Sequence, residues 1–231
     1  LSIDESLGED CYRISATVGE GKTEGLVIVG GNGRGILYGV YDFLEEYAAV
    51  RFFTPELEGC EEGDVIVFDG LSMTYAPTFE LRQTDWYRWK TDDLGYSWSV
   101  KNGINIVNGW KPSWNEAFGG SLSYAPSLFV HTIGKLAELE GERPTLQPNP
   151  CLTDENIYNT VLANLRKSLA EHPDSKIISV SQNDNNNYCK CEKCLADIEY
   201  YGAPSGTLIE ALNYVCEQIA AYKDGIYKDV L

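Results

Sequence analysis

Six consecutive polar residues, Gln182-Asn183-Asp184-Asn185-Asn186-Asn187, follow the apolar run Ile177-Ile178-Ser179-Val180. One carboxylate among amides suits a sugar clamp or a proton donor, since amides address hydroxyls and partial burial raises a carboxyl pKa. A solvated loop of Asx-turns is the competing reading. Cys189, Cys191 and Cys194 come next, in the pattern C-x-C-x-x-C. Three thiolates this close, with Cys216 or Cys151 as a fourth, could hold tetrahedral zinc. A local disulfide or free thiols fit the same spacing, because a zinc ribbon has two C-x-x-C pairs and this chain has one.

Two further groups could act on a sugar. The segment Phe79-Glu80-Leu81-Arg82-Gln83-Thr84-Asp85-Trp86 ends in a guanidinium fork, a carboxylate and an aromatic face. Arg82 and Asp85 would bind vicinal hydroxyls while Trp86 stacks on C–H faces. Trp89, Trp98, Trp110 and Trp114 could extend that floor or fill a core. His131, in Phe129-Val130-His131-Thr132, is either a structural histidine or a rim residue at the end of a strand.

Periodicity supplies the elements that must position these groups. Residues 11–18 and 25–31 have strand character, followed by a helix over 35–48 and short strands at 50–53 and 64–69. After Pro77 the pattern becomes alternating strands and helices. Strands are expected at 79–84, 104–107, 126–131 and 176–181. Helices are expected at 153–171, with Thr153 as N-cap, and at 206–223. The fold class is therefore α/β: a small N-terminal α/β sandwich over residues 1–76, then the first half of a TIM-like (β/α)8 barrel over 77–231. In such a barrel Arg82, His131, Asn183 and Asp184 would share the C-terminal rim. The cluster Gly30-Gly31-Asn32-Gly33-Arg34-Gly35 lacks dinucleotide-loop spacing, because Ile36 stands where the third glycine belongs, and reads as a tight turn needing positive φ.

The chain has 231 residues and a net charge of −17. That charge repels nucleic acid and anionic membrane, and no apolar run is long enough for membrane insertion. Seven cysteines exclude complete internal pairing. The ends read as those of a piece of a longer protein.

Taken together, these motifs resemble known families. Gly35–Glu45 (GILYGVYDFLE) and Val50–Pro55 (VRFFTP) look like the accessory domain preceding the barrel in family 20 β-hexosaminidases and family 67 α-glucuronidases. With Phe79-x-x-Arg82, His131-Thr132, Cys151-Leu152-Thr153 and Ser181–Asp184 leading into the cysteine cluster, the chain resembles the bacterial domain of unknown function numbered 4838, which is regarded as glycoside-hydrolase-like. The resemblance implies that Arg82 holds sugar hydroxyls and that His131 is a substrate-binding rim histidine after the third barrel strand. It places Asn183-Asp184 where hexosaminidases carry an Asp-Glu pair, so the acid here is one methylene shorter. The expected function is glycoside hydrolysis of an oligo- or polysaccharide, with Asp184 as acid and Asp85 as a second carboxylate, and no cofactor is required. The alternatives are a non-catalytic carbohydrate-binding protein on a degenerate barrel and a metal-stabilised scaffold.

Overall fold

The computed structural model describes residues 1–61, 70–84, 93–105, 118–120, 122, 124–139, 148–173 and 175–222. The chain divides into two compact units, Leu1–Leu122 and Ser123–Leu231. The change of sequence pattern at Pro77 thus falls inside the first unit. Among the described residues the protein is mixed α/β, with small sheets and six helices.

In the first unit, strands β1 (Ser2–Ile3), β2 (Tyr12–Gly19), β3 (Lys22–Gly30) and β6 (Ser72–Tyr75) form a sheet ordered β1-β3-β2-β6. β2 and β3 are an antiparallel hairpin, while β1 runs parallel to β3. The hairpin turns at Glu20 and Gly21, both at positive φ (48° and 78°), as a two-residue turn matched to strand twist requires. Alternation along β2 buries Tyr12 and Ile14, which meet Ile28 of β3 and Tyr38 of helix α1 (Gly33–Tyr47). Tyr96 and Val100 of helix α2 (Asp93–Lys101) complete that core. Strands β4 (Val50–Thr54) and β5 (Leu57–Cys60) form a separate antiparallel hairpin.

The glycine cluster serves close packing. Gly30, Gly31, Gly33 and Gly35 are absent from the residues with positive φ, which corrects the tight-turn expectation. Instead, a Cβ on Gly31 would lie 1.7 Å from the Gly8 carbonyl oxygen, and one on Gly35 would lie 2.3 Å from that of Cys11. Asn32 caps α1 by accepting from the Gly35 amide at 2.8 Å. Gly35→Ala should therefore cost about 1–3 kcal/mol through backbone displacement. Urea unfolding measures it, and an unchanged midpoint would contradict this packing.

The second unit holds helices α3 (Ile133–Leu136), α4 (Glu155–Glu171), α5 (Glu192–Tyr201) and α6 (Ser205–Ala220). Val161, Leu162 and Leu165 of α4 pack with Val215 of α6 and with Leu128, Ile133 and Leu136. Asp154, rather than Thr153, caps α4 by accepting from the Asn156 amide at 2.9 Å.

The strands expected after Pro77 do not appear as ladders among the described residues. In 79–84 the Arg82 amide donates to the Asn105 side chain rather than to a neighbouring strand. Residues 104 and 105 are irregular, and 106–107 lie outside the described residues, as does the strand expected at 64–69. Segment 126–131 is broken by positive φ at Ser127 (63°) and His131 (54°). Of 176–181, Ile177 alone makes a bridge, parallel to Tyr124. Apolar content marks where a chain could extend, but a strand also needs an uninterrupted neighbour.

Candidate functional site

The first unit is organised around a buried carboxylate that the sequence did not single out. Asp10, 3 % exposed and at φ 61°, accepts hydrogen bonds from Arg34 Nε (2.7 Å), Arg82 Nη2 (2.7 Å), Asn105 Nδ2 (2.8 Å) and Asn32 Nδ2 (3.1 Å). Burial alone would raise its pKa. The Arg34 charge, with the bonds from Asn105, Asn32 and Arg82, more than offsets this and holds the carboxyl below its ordinary value.

Arg82 is a member of this hub. Its Nε donates to Gly103 O and its Nη1 to Phe79 O, each at 2.7 Å, and its guanidinium lies 5.6 Å from the Tyr38 ring centroid. The donor fork expected to face a sugar is thus engaged with backbone carbonyls and Asp10. Asp85 and Trp86 lie outside the described residues, as do Trp89, Trp110 and Trp114. Trp98 is half-buried and donates from Nε1 to Phe52 O at 2.8 Å.

The second unit gathers the other predicted residues. Thr132, 1 % exposed, donates to Ser179 O at 2.6 Å and accepts from the Ser181 amide at 2.9 Å, fixing the chain just before the polar run. Asn183 is fully buried, and its amide donates to Asn149 Oδ1 at 2.8 Å. Asn149 also donates its own amide to Asn187 O at 2.8 Å, so it braces both ends of the loop. Within the loop, the Asn187 amide donates to Asn185 Oδ1 at 2.9 Å, an Asx-turn. Asp184 points outward, its side chain 90 % exposed, with His131 Nε2 3.4 Å from its carboxylate. His131 Nδ1 lies 3.3 Å from Gln182 O.

Beside this loop lies an open cleft with a cavity volume of about 130 Å³. Asn149, Gln182, Asn185 and Asn186 bring amides to its wall, those of Asn149 and Asn185 already accepting from the Asn183 and Asn187 backbone amides, and Tyr188, Leu152, Ile133 and Leu208 give it an apolar side. No Asp, Glu, Lys, Arg or His is among its lining residues. Asp184 is therefore next to the cleft in sequence but not in its wall.

The thiol cluster stands at the cleft's edge. The sulfurs of Cys151, Cys189, Cys191 and Cys194 all lie within 4.8 Å of one another and could hold a metal ion. The sequence left Cys151 and Cys216 as equal candidates for the fourth position; the fold selects Cys151, and Cys216 is exposed on α6. Cys191 is the N-cap of α5, and the Cys194 amide donating to its sulfur, with the Thr153 hydroxyl and the Cys194 side chain, pushes that thiol down to about 6. Burial pushes Cys194 up to about 12. Four thiols in one another's reach thus share their protons unequally. Sequence reasoning missed Asn149 and the contact of Thr153 with three sulfurs. The run Pro150-Cys151-Leu152-Thr153 before a helix was the available signal.

Residues 64–224, more than half of the chain, match the family Domain of unknown function (DUF4838). The chain belongs to that family. It matches no curated protein and no solved structure.

Proposed function

We propose that this chain is part of a carbohydrate-active, glycoside-hydrolase-like protein and that its second unit binds a neutral sugar in the amide-lined cleft. The observation carrying this reading is the cleft's lining: four side-chain amides and an aromatic ring, with no Asp, Glu, Lys, Arg or His. Amides donate to and accept from hydroxyls, and apolar walls cover the C–H face of a pyranose. A protein of charge −17 also disfavours acidic sugars over neutral ones. Within this reading the thiol cluster holds a structural zinc ion, and no cofactor enters the chemistry. The partial (β/α)8 barrel belongs to the same proposal. The Tyr124–Ile177 parallel bridge and the bonds Ser179 N to Leu128 O (3.2 Å) and Ile133 N to Ser181 O (2.9 Å) support it by laying the two segments side by side.

Glycosidic-bond hydrolysis with Asp184 as acid is the second reading; it rests on the place of Asp184 beside His131 in the loop that borders the cleft and not on burial, since the Asp184 side chain is 90 % exposed. Affinity electrophoresis in gels of neutral polysaccharide, set beside polyuronate gels, tests binding. Retardation in neutral gels alone, weakened at least about tenfold by Tyr188→Ala, is expected. Equal mobility in every gel would sink the binding site. Aryl glycosides test hydrolysis: aglycone release that Asp184→Asn leaves unchanged would remove Asp184 from the mechanism.

A further inference from the structure

We propose that Cys151, Cys189, Cys191 and Cys194 bind one zinc ion as a closed tetrathiolate, and that this ion clamps together two segments that line the cleft. The second half of this proposal rests on the cleft being the binding site; the first does not.

The sulfur separations that Cys151 makes match the edges of a tetrahedral thiolate site. With metal–sulfur bonds of about 2.3 Å, a tetrahedral site has sulfur–sulfur edges of about 3.8 Å. Cys151 Sγ lies 3.8 Å from Cys191 Sγ and 3.8 Å from Cys194 Sγ. A disulfide would bring one pair to about 2.0 Å and leave two thiols unused. A single ion uses all four sulfurs, and a set with no open position reads as structural rather than catalytic.

The surroundings suit thiolate ligation. Thr153 Oγ1 lies 3.3 Å from Cys151 Sγ, 3.5 Å from Cys194 Sγ and 3.8 Å from Cys191 Sγ, an outer hydroxyl that can donate to a ligating sulfur. Cys191 and Cys194 occupy the cap and first turn of α5, where unpaired backbone N–H groups favour negative sulfur. Four thiolates and one divalent cation leave a charge of −2, which the ammonium groups of Lys190, between Cys189 and Cys191, and of Lys193, in the first turn of α5, partly offset.

The topology gives the ion its role. Cys151 belongs to the segment before α4, whereas Cys189 precedes α5, Cys191 caps it and Cys194 lies in its first turn. Both segments line the cleft: Pro150 and Leu152 from one, Tyr188, Cys189 and Cys194 from the other. The Asn149 bonds to Asn183 and Asn187 join the same two segments. An ion ligated from both segments would fix them to each other and so hold the cleft wall in place.

The test uses the whole reduced chain, first metal-free, then titrated with Co²⁺ and with Zn²⁺. One equivalent of Co²⁺ should give the visible bands of a tetrahedral site with near-ultraviolet sulfur-to-metal charge transfer, and Zn²⁺ should bleach both. Zinc should also slow amide exchange at Asn149 and Asn183 by about tenfold or more while leaving α1 unchanged. Cys151→Ser should weaken binding by more than about 100-fold, and Cys216→Ser should not alter it. Should Cys151→Ser fail to fold, Cys191→His at the exposed corner should retain Co²⁺ with weakened charge transfer. No tetrahedral spectrum, or one unaffected by losing Cys151, would overturn the tetrathiolate. A tetrahedral spectrum with unchanged exchange at Asn149 and Asn183 would overturn the clamp. Failure of the zinc-loaded protein to bind any neutral polysaccharide would sink the sugar reading and leave the zinc site standing.

Discussion

Asp10→Asn is expected to lower the stability of the first unit by about 3–5 kcal/mol, the usual cost of taking the buried anion from buried cations, with Arg34 left to the exposed Glu9 carboxylate 3.7 Å away. The substitution keeps the shape and one acceptor oxygen but removes the charge that Arg34 and Arg82 share. Chemical denaturation followed by the ellipticity of the sheet measures it. The same experiment has a pH dependence whose sign is fixed. The folded Asp10 carboxyl titrates below its ordinary value, so its contribution is fully present above the unfolded pKa of about 3.9 and is lost as pH falls through the folded value. The gap between the parent chain and Asp10→Asn should therefore be constant near neutrality and narrow in acid below about pH 4. A gap that is small at pH 7, or one that widens in acid, would show that the hub does not hold the unit together. This does not make the hub superior to an apolar core of equal volume, since buried ion pairs gain little over well-packed hydrophobic groups.

The second large effect is expected at Asn149→Ala. Asn149 is 9 % exposed, and its side chain is the acceptor for the amide of the fully buried Asn183. Truncation leaves that N–H unsatisfied, a cost of about 1–3 kcal/mol, and frees the loop from its brace. Amide exchange should quicken across 183–187, and sugar binding should fall below detection. Asn186→Ala provides the contrast. Asn186 is exposed on the cleft, so its loss should change stability by less than about 0.5 kcal/mol while still weakening binding. Binding that survives Asn149→Ala at full strength would separate the loop from the site.

What could be seen in the sequence was set by local periodicity. The hairpin of β2 and β3, the helix after the glycine cluster and helices α4 and α6 repeat at the period of their element, so patterning located them to within a few residues. Helix α5 was missed because its first turn is Glu192-Lys193-Cys194, where a metal-ligand pattern conceals the cap. The expected strands after Pro77 failed where long-range partners decide. Positive φ at His131 and the side-chain bonds of Arg82 are tertiary outcomes with no periodic trace. Within the candidate site, the C-x-C-x-x-C spacing identified three thiols, but the fourth lies 38 residues before Cys189 in the sequence. Only the packing of the segments before α4 and α5 could choose Cys151 over Cys216. Arg82 shows the converse error of weight: a residue type suited to a sugar is also suited to a buried carboxylate, and Asp10 carried no signal that would have competed for it.

The central claim is that the amide-lined cleft of the second unit takes a neutral sugar, and side-chain amide resonances test it most directly. In the zinc-loaded, ¹⁵N-labelled chain, the NH₂ signals of Asn149, Gln182, Asn185 and Asn186 should shift saturably with at least one neutral oligosaccharide from a panel of gluco-, galacto-, manno- and N-acetylglucosamine oligomers. Oligouronates at equal concentration should leave them in place. Signals that stay fixed across the neutral panel, or shifts confined to residues outside the cleft, would contradict the account.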